Sequence, residues 1–120
     1  MKKFLIVMVA VTAVQSIRAQ NVKNLKVLSF KTKKETMDYM KKTIAPSLGV
    51  KCSYCHNVRD FPSDGNKYKE ITREMILMTE WINKNTIKSL KYEPVTCWTC
   101  HQGNIYPPRY KGDKGEGDKD

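Results

Sequence analysis

Two pentapeptides, Cys52-Ser53-Tyr54-Cys55-His56 and Cys97-Trp98-Thr99-Cys100-His101, constrain this chain more than any other part of it. Between them they use all four cysteines and both histidines. A disulfide framework gives no reason for a histidine directly after the second cysteine of both pairs. C-x-x-C-H is, however, the attachment signature of c-type haem. The thiols add across the porphyrin vinyl groups, and the adjacent imidazole becomes the proximal iron ligand. Two units therefore predict two covalently attached haems, with Cys52, Cys55, Cys97 and Cys100 holding the porphyrins and His56 and His101 the irons.

Residues 1–19 read as a cleaved secretory signal peptide. Met1-Lys2-Lys3 is a short basic start, Phe4 to Val14 is an apolar run, and Ala19 before Gln20 offers a small residue at the cut. The run is shorter than the roughly 20 apolar residues of a transmembrane helix, so no integral span is expected after cleavage; an uncleaved anchor is the alternative. Export predicts a periplasmic or secreted bacterial protein. A chain of 120 residues then leaves one domain, residues 20–111, and a charged, glycine-rich tail, 112–120, expected to be disordered.

The formal charge of +10 falls to +7 once Lys2, Lys3 and Arg18 leave with the signal. Such a surface suits acidic redox partners, a donor and an acceptor, drawn in by the long-range field. The plainer reading is a solvated, soluble surface. No recognisable nucleic-acid-binding motif accompanies the charge.

Residues 20–31 read as an arm lying against the core. Thr32-Lys33-Lys34-Glu35 fits a capping box, and Met37, Met40 and Ile44 follow at helical spacing, with Pro46 as the expected end. Asn57 to Gly65 reads as a loop. Asn66 can cap a second helix, in which Ile71, Met75, Met78 and Ile82 share a face, running to about Lys88. Each pentapeptide thus follows a helix bearing Met-x-x-Met. The expected fold is mostly α: a small multihaem cytochrome of two helix-loop-CxxCH repeats with few or no strands.

A six-coordinate haem iron needs a second axial ligand, commonly Met or His. Both histidines are committed, and Met37, Met40, Met75 and Met78 are the only methionines outside the signal. Residues three apart on a helix point within about 60° of each other, so one methionine of each pair can reach iron while the other packs beside the porphyrin. Methionine at this spacing also fills ordinary cores. Lysine, the amino terminus and an open position are the other distal options.

The segment Arg73 to Asn83, with Val95-Thr96-Cys97-Trp98-Thr99-Cys100-His101 and Gly103, is similar to one half of the tetrahaem cytochrome subunit of photosynthetic reaction centres and to the small c-type cytochromes grouped with it. Asn24-Leu25-Lys26-Val27-Leu28, Leu48-Gly49-Val50-Lys51-Cys52 and Phe61 with Asp64 resemble the same group, so the likeness covers most of residues 24–108. It implies a methionine distal ligand on the helix before each attachment site. Met75 matches that position for the second haem. For the first, alignment of Ile44-Ala45-Pro46 selects Met37, and spacing from Leu48-Gly49-Val50 selects Met40. Two attachment motifs in place of four, and no lipid-attachment cysteine, mean that a photosynthetic role does not follow.

The function these features imply is single-electron transfer by an exported dihaem cytochrome, not enzymatic turnover. A haem peroxidase or small-molecule reductase would need an open distal site and acid-base groups beside it, and no such cluster stands near either motif. Haem-free readings are structural zinc and a thioredoxin-like C-x-x-C; the wide separation of the two cysteine pairs and the absence of a strand-helix alternation fit neither.

Overall fold

The computed structural model describes residues 22–115. The predicted signal peptide and residues 116–120 of the tail lie outside that range. Among the described residues there is no named strand, only an isolated bridge between Asn57 and Asp60 in a loop. The chain is mostly helical, as its sequence implies.

Helix α1 covers residues 33–48. It opens with the capping box: the Thr32 hydroxyl accepts from the Glu35 amide at 3.2 Å, and the Glu35 carboxylate accepts from the Thr32 amide at 2.9 Å. An α-helical segment Lys33–Tyr39 leads into a π-helical turn Met40–Ile44, then into a last α turn Ala45–Leu48. The helix therefore does not end at Pro46, as the sequence reading has it. Proline lacks an N–H and its ring clashes with the carbonyl four residues back. Here the wider π turn precedes it, with the Ala45 amide bonded to the Met40 carbonyl, and Pro46 falls in the first positions of a new turn, where no donor is required. Termination passes to Gly49, in the left-handed conformation at φ 65°.

Helix α2 covers residues 67–90 and repeats this construction. The Asn66 side chain accepts from the Tyr68 amide at 2.9 Å. An α segment Lys67–Ile82 is followed by a π turn Asn83–Ile87 and a final turn Lys88–Leu90, closed by Lys91 at φ 58°. The helix runs slightly past the end expected near Lys88. Helix α3, Cys97–His101, is the second pentapeptide itself, capped by Thr96 and Thr99.

Aligning the π turns sets Met40 against Asn83, not against Met75 or Met78. Both halves share one plan, but their methionines occupy different heights on the two helices.

The N-terminal arm and the loop after the first pentapeptide are held together by Asp64. Its carboxylate takes Lys26 at 2.8 Å, Arg73 at 2.9 Å, Asn24 at 2.9 Å and Lys69 at 3.2 Å. Arg73 is buried and also bonds Glu70 at 2.7 Å. The hydrogen bonds from Lys26, then Arg73 and Lys69, hold the Asp64 carboxyl far below the usual carboxylate range. A depressed folded-state pKa stabilises the fold above the unfolded value, about 3.9 for aspartate, and that stabilisation is lost as pH falls from there towards the folded value. Asp64→Asn is accordingly expected to flatten the acid limb of a stability-versus-pH curve below about pH 4, measured by denaturant titration; an unchanged limb would show that the cluster contributes nothing.

Within the segment 112–120, Gly115 is buried against Asn104 and the Tyr106 carbonyl, and Asp113 accepts from the Arg109 amide at 2.9 Å.

Candidate haem sites

The first pentapeptide forms a 3-10 turn, Cys52–Tyr54, with the His56 amide bonded to the Cys52 carbonyl at 3.0 Å. Cys52, Cys55 and His56 are thereby gathered on one short turn. The second pentapeptide reaches a similar grouping as a full helical turn. None of the four cysteines is paired in a disulfide.

Each histidine is oriented in the same way. His56 Nδ1 lies 3.2 Å from the Phe61 carbonyl, and His101 Nδ1 lies 3.0 Å from the Asn104 carbonyl. A carbonyl can only accept, so Nδ1 carries the proton in both rings and Nε2 keeps its lone pair. A metal-binding imidazole is built in this way: the outer N–H is held by a second group, and the inner nitrogen is presented to the ion.

Burial pushes the Cys55 and Cys97 thiols upward, opposite to the depressed thiol of a redox-active C-x-x-C. Among the described residues no three His, Cys, Asp or Glu side chains converge as a zinc site would require.

The packing around the sites is crossed. The first pentapeptide rests on the start of α2: Cys55 Sγ is 3.7 Å from the Thr72 hydroxyl, the Asn66 side chain donates to the Tyr54 carbonyl at 2.9 Å, and the Tyr54 and Tyr68 rings stack at 4.5 Å. The second rests on the end of α1. The Gly103 amide bonds the Ser47 carbonyl at 2.8 Å, and any Cβ on Gly49 would collide with the Gly103 carbonyl. Gly49→Ala, strained at its positive φ and blocked by that contact, is expected to loosen the second site and lower the thermal midpoint; an unshifted melt would contradict the contact.

Sequence reasoning missed the residue that aims the second pentapeptide. Asn83, at the start of the π turn of α2, donates to the Val95 carbonyl and accepts from the Val95 amide, both at 2.8 Å. This two-way amide clamp fixes the connector just before Cys97. A lone asparagine late in a helix carries no signal of such a role.

The apolar stripe of α2 lies open. Ile71, Met75 and Met78 are exposed, Met75 by 38% and Met78 by 45%, while the helix buries Arg73 and Ile76. Met37 and Met40 on α1 are half-buried. The only buried apolar side chains among the described residues are Ile44 and Ile76. The described polypeptide has little apolar interior of its own. Porphyrins placed against the open stripe would supply it, so the donor sets and the surfaces both fit covalently held haem.

The family model described as photosynthetic reaction centre cytochrome C subunit matches residues 8–115. The chain belongs to that family. Among curated relatives it is 35% identical over 88 residues to the photosynthetic reaction center cytochrome c subunit of Rubrivivax gelatinosus, covering 73% of this chain and 23% of that protein. It is 33% identical over 84 residues to cytochrome c-554 of Chloroflexus aurantiacus, covering 68% and 20%. The Thermochromatium tepidum reaction center cytochrome c subunit is 34% identical over 88 residues, covering 73% and 21%. The chain thus spans about a fifth to a quarter of the length of these relatives. As a member of this cytochrome family it is a c-type cytochrome, which accounts for the histidine geometry and the open apolar stripe. No helix among the described residues is long and apolar enough to cross a membrane.

Proposed function

We propose that this chain is an exported dihaem electron carrier that exchanges single electrons between a redox donor and an acceptor. Cys52 and Cys55 hold one porphyrin and Cys97 and Cys100 the other, with His56 and His101 as proximal ligands through Nε2. Met75 is the distal ligand of the second site, and Met37 or Met40 that of the first.

The observation that carries this reading is the paired histidine geometry: two imidazoles beside paired thiols, each with Nδ1 held by a backbone carbonyl. The haem, when bound, supplies a one-electron change between Fe(III) and Fe(II). The chain's own residues do the rest. Phe61 and Asn104 fix the ring orientation and leave Nε2 as the donor atom. Thioether sulfur favours the ferrous state and raises the potential relative to bis-histidine ligation. The exposed Ile71, Met75 and Met78 face offers an apolar surface that a bound porphyrin would cover. A haem held by both a histidine and a methionine would have no coordination position left for a substrate, so the chain would carry electrons without transforming molecules.

Residues 1–19 direct export to the periplasm, and the basic surface of residues 20–111 suits an acidic redox partner. The test is the intact mass of protein made in a host able to mature cytochromes. The expected mass is that of a chain starting at Gln20 plus two haems that acid-acetone cannot extract. A colourless product, or a single haem, would overturn the reading. Rapid carbon monoxide binding by the reduced protein would instead favour an open distal site and an enzyme.

A further inference from the structure

The two proximal histidines are held alike but in different electrostatic surroundings. The Phe61 carbonyl that accepts from His56 also accepts from the Lys69 ammonium at 3.0 Å. Lys69 reaches the next two carbonyls as well, Pro62 and Ser63, each at 2.8 Å. Its side chain is only 11% exposed. The Asn104 carbonyl, which holds His101, has no ammonium or guanidinium bonded to it among the described residues.

A histidine that donates strongly from Nδ1 gains imidazolate character, gives more electron density to the metal and stabilises the oxidised state. A cation on the accepting carbonyl withdraws density from that oxygen and makes it a poorer acceptor. The expected result is a less electron-rich His56 and an iron more easily kept reduced. We propose that Lys69 acts through the Phe61 carbonyl and His56 to raise the reduction potential of the first haem site, leaving the second unaffected. This rests on the dihaem reading given above.

The through-space field of Lys69 acts in the same direction but is weakened by Asp64, 3.2 Å from its ammonium, and by Glu70, which set two negative charges against the three positive ones of Lys26, Lys69 and Arg73. Polarisation of the shared carbonyl is short-ranged and survives that offset. Lys69 is a tuning residue that touches neither iron nor porphyrin.

The test is a redox titration of the mature dihaem protein, followed by visible spectroscopy. The two waves are assigned from the histidine NMR signals that change at each step of oxidation. Lys69→Met is expected to move the wave linked to His56 to lower potential and leave the His101 wave in place. If Lys69→Met does not accumulate, Lys69→Gln carries the same expectation. Lys67→Met, which removes an equal charge two residues away, is expected to move neither wave.

A second readout separates tuning from mere loop support. In the reduced protein the His56 ring N–H proton should shift downfield in Lys69→Met, because its carbonyl becomes a better acceptor, with solvent exchange unchanged. Faster exchange without that shift would mean that Lys69 only braces the loop. An unmoved His56 wave, or equal movement of both waves, would overturn the proposal. Either result in a two-haem protein leaves the dihaem reading standing, whereas a protein without two haems ends that reading first.

Discussion

Replacing Cys52, Cys55, Cys97 and Cys100 together with alanine is expected to yield a chain that no longer unfolds cooperatively. Only Ile44 and Ile76 are buried apolar residues among those described, so the protein's own core is small. The helices have good starts, but caps contribute only about 1 kcal/mol each, and helices in proteins draw most of their stability from tertiary packing of an apolar face. The exposed Trp81, at 63%, and the open stripe of Ile71, Met75 and Met78 show how much apolar surface the polypeptide leaves to water by itself. Without attachment, little would hold porphyrin against that surface. Thermal melts followed by far-ultraviolet circular dichroism should show a shallow, gradual loss of helix. A steep two-state transition in the alanine variant would mean that the protein core suffices.

The second large effect is expected at one sulfur atom. Met75→Ala should convert the second haem to a high-spin or water-ligated form and lower its potential by a sizeable share of the roughly 0.8 V that axial ligands span. Loss of the thioether removes the ligand that favours Fe(II). The same change costs less in protein packing than a core truncation, because Met75 is 38% exposed. Potential and stability should therefore separate in this variant. Parallel spectra of Met78→Ala serve as the comparison; an unchanged Met75→Ala spectrum beside a changed Met78→Ala spectrum would move the ligand one turn along the helix. For the first site, Met37→Ala and Met40→Ala form the corresponding pair.

Much of this arrangement is legible in the sequence, for reasons that differ by element. Helix starts are local: Thr32 with Glu35, and Asn66, satisfy backbone amides within their own turn, so a few residues suffice to place them. The ends are less local. Pro46 halts an ideal α-helix, and only the π turn that precedes it lets the chain pass. The candidate attachment residues stand out in the sequence because reactive thiols and imidazoles are scarce and their spacing is chemical. The groups that aim the histidines are not, since the acceptors at Phe61 and Asn104 are backbone carbonyls that every residue possesses. The Asn83 clamp and the Lys69 contacts depend on loops folding back onto a helix, which no short sequence window contains.

The crossed packing bears on how such a chain comes into being. Each attachment turn uses the opposite half as its floor: the first lies on the start of α2, the second on the end of α1. Neither half is thus self-contained, although the Asn83 clamp also holds the second turn's connector from its own helix. Two copies of one half, lying side by side, could make the same exchange between chains. Joining them end to end would convert a pairing that depends on concentration into one that is always present.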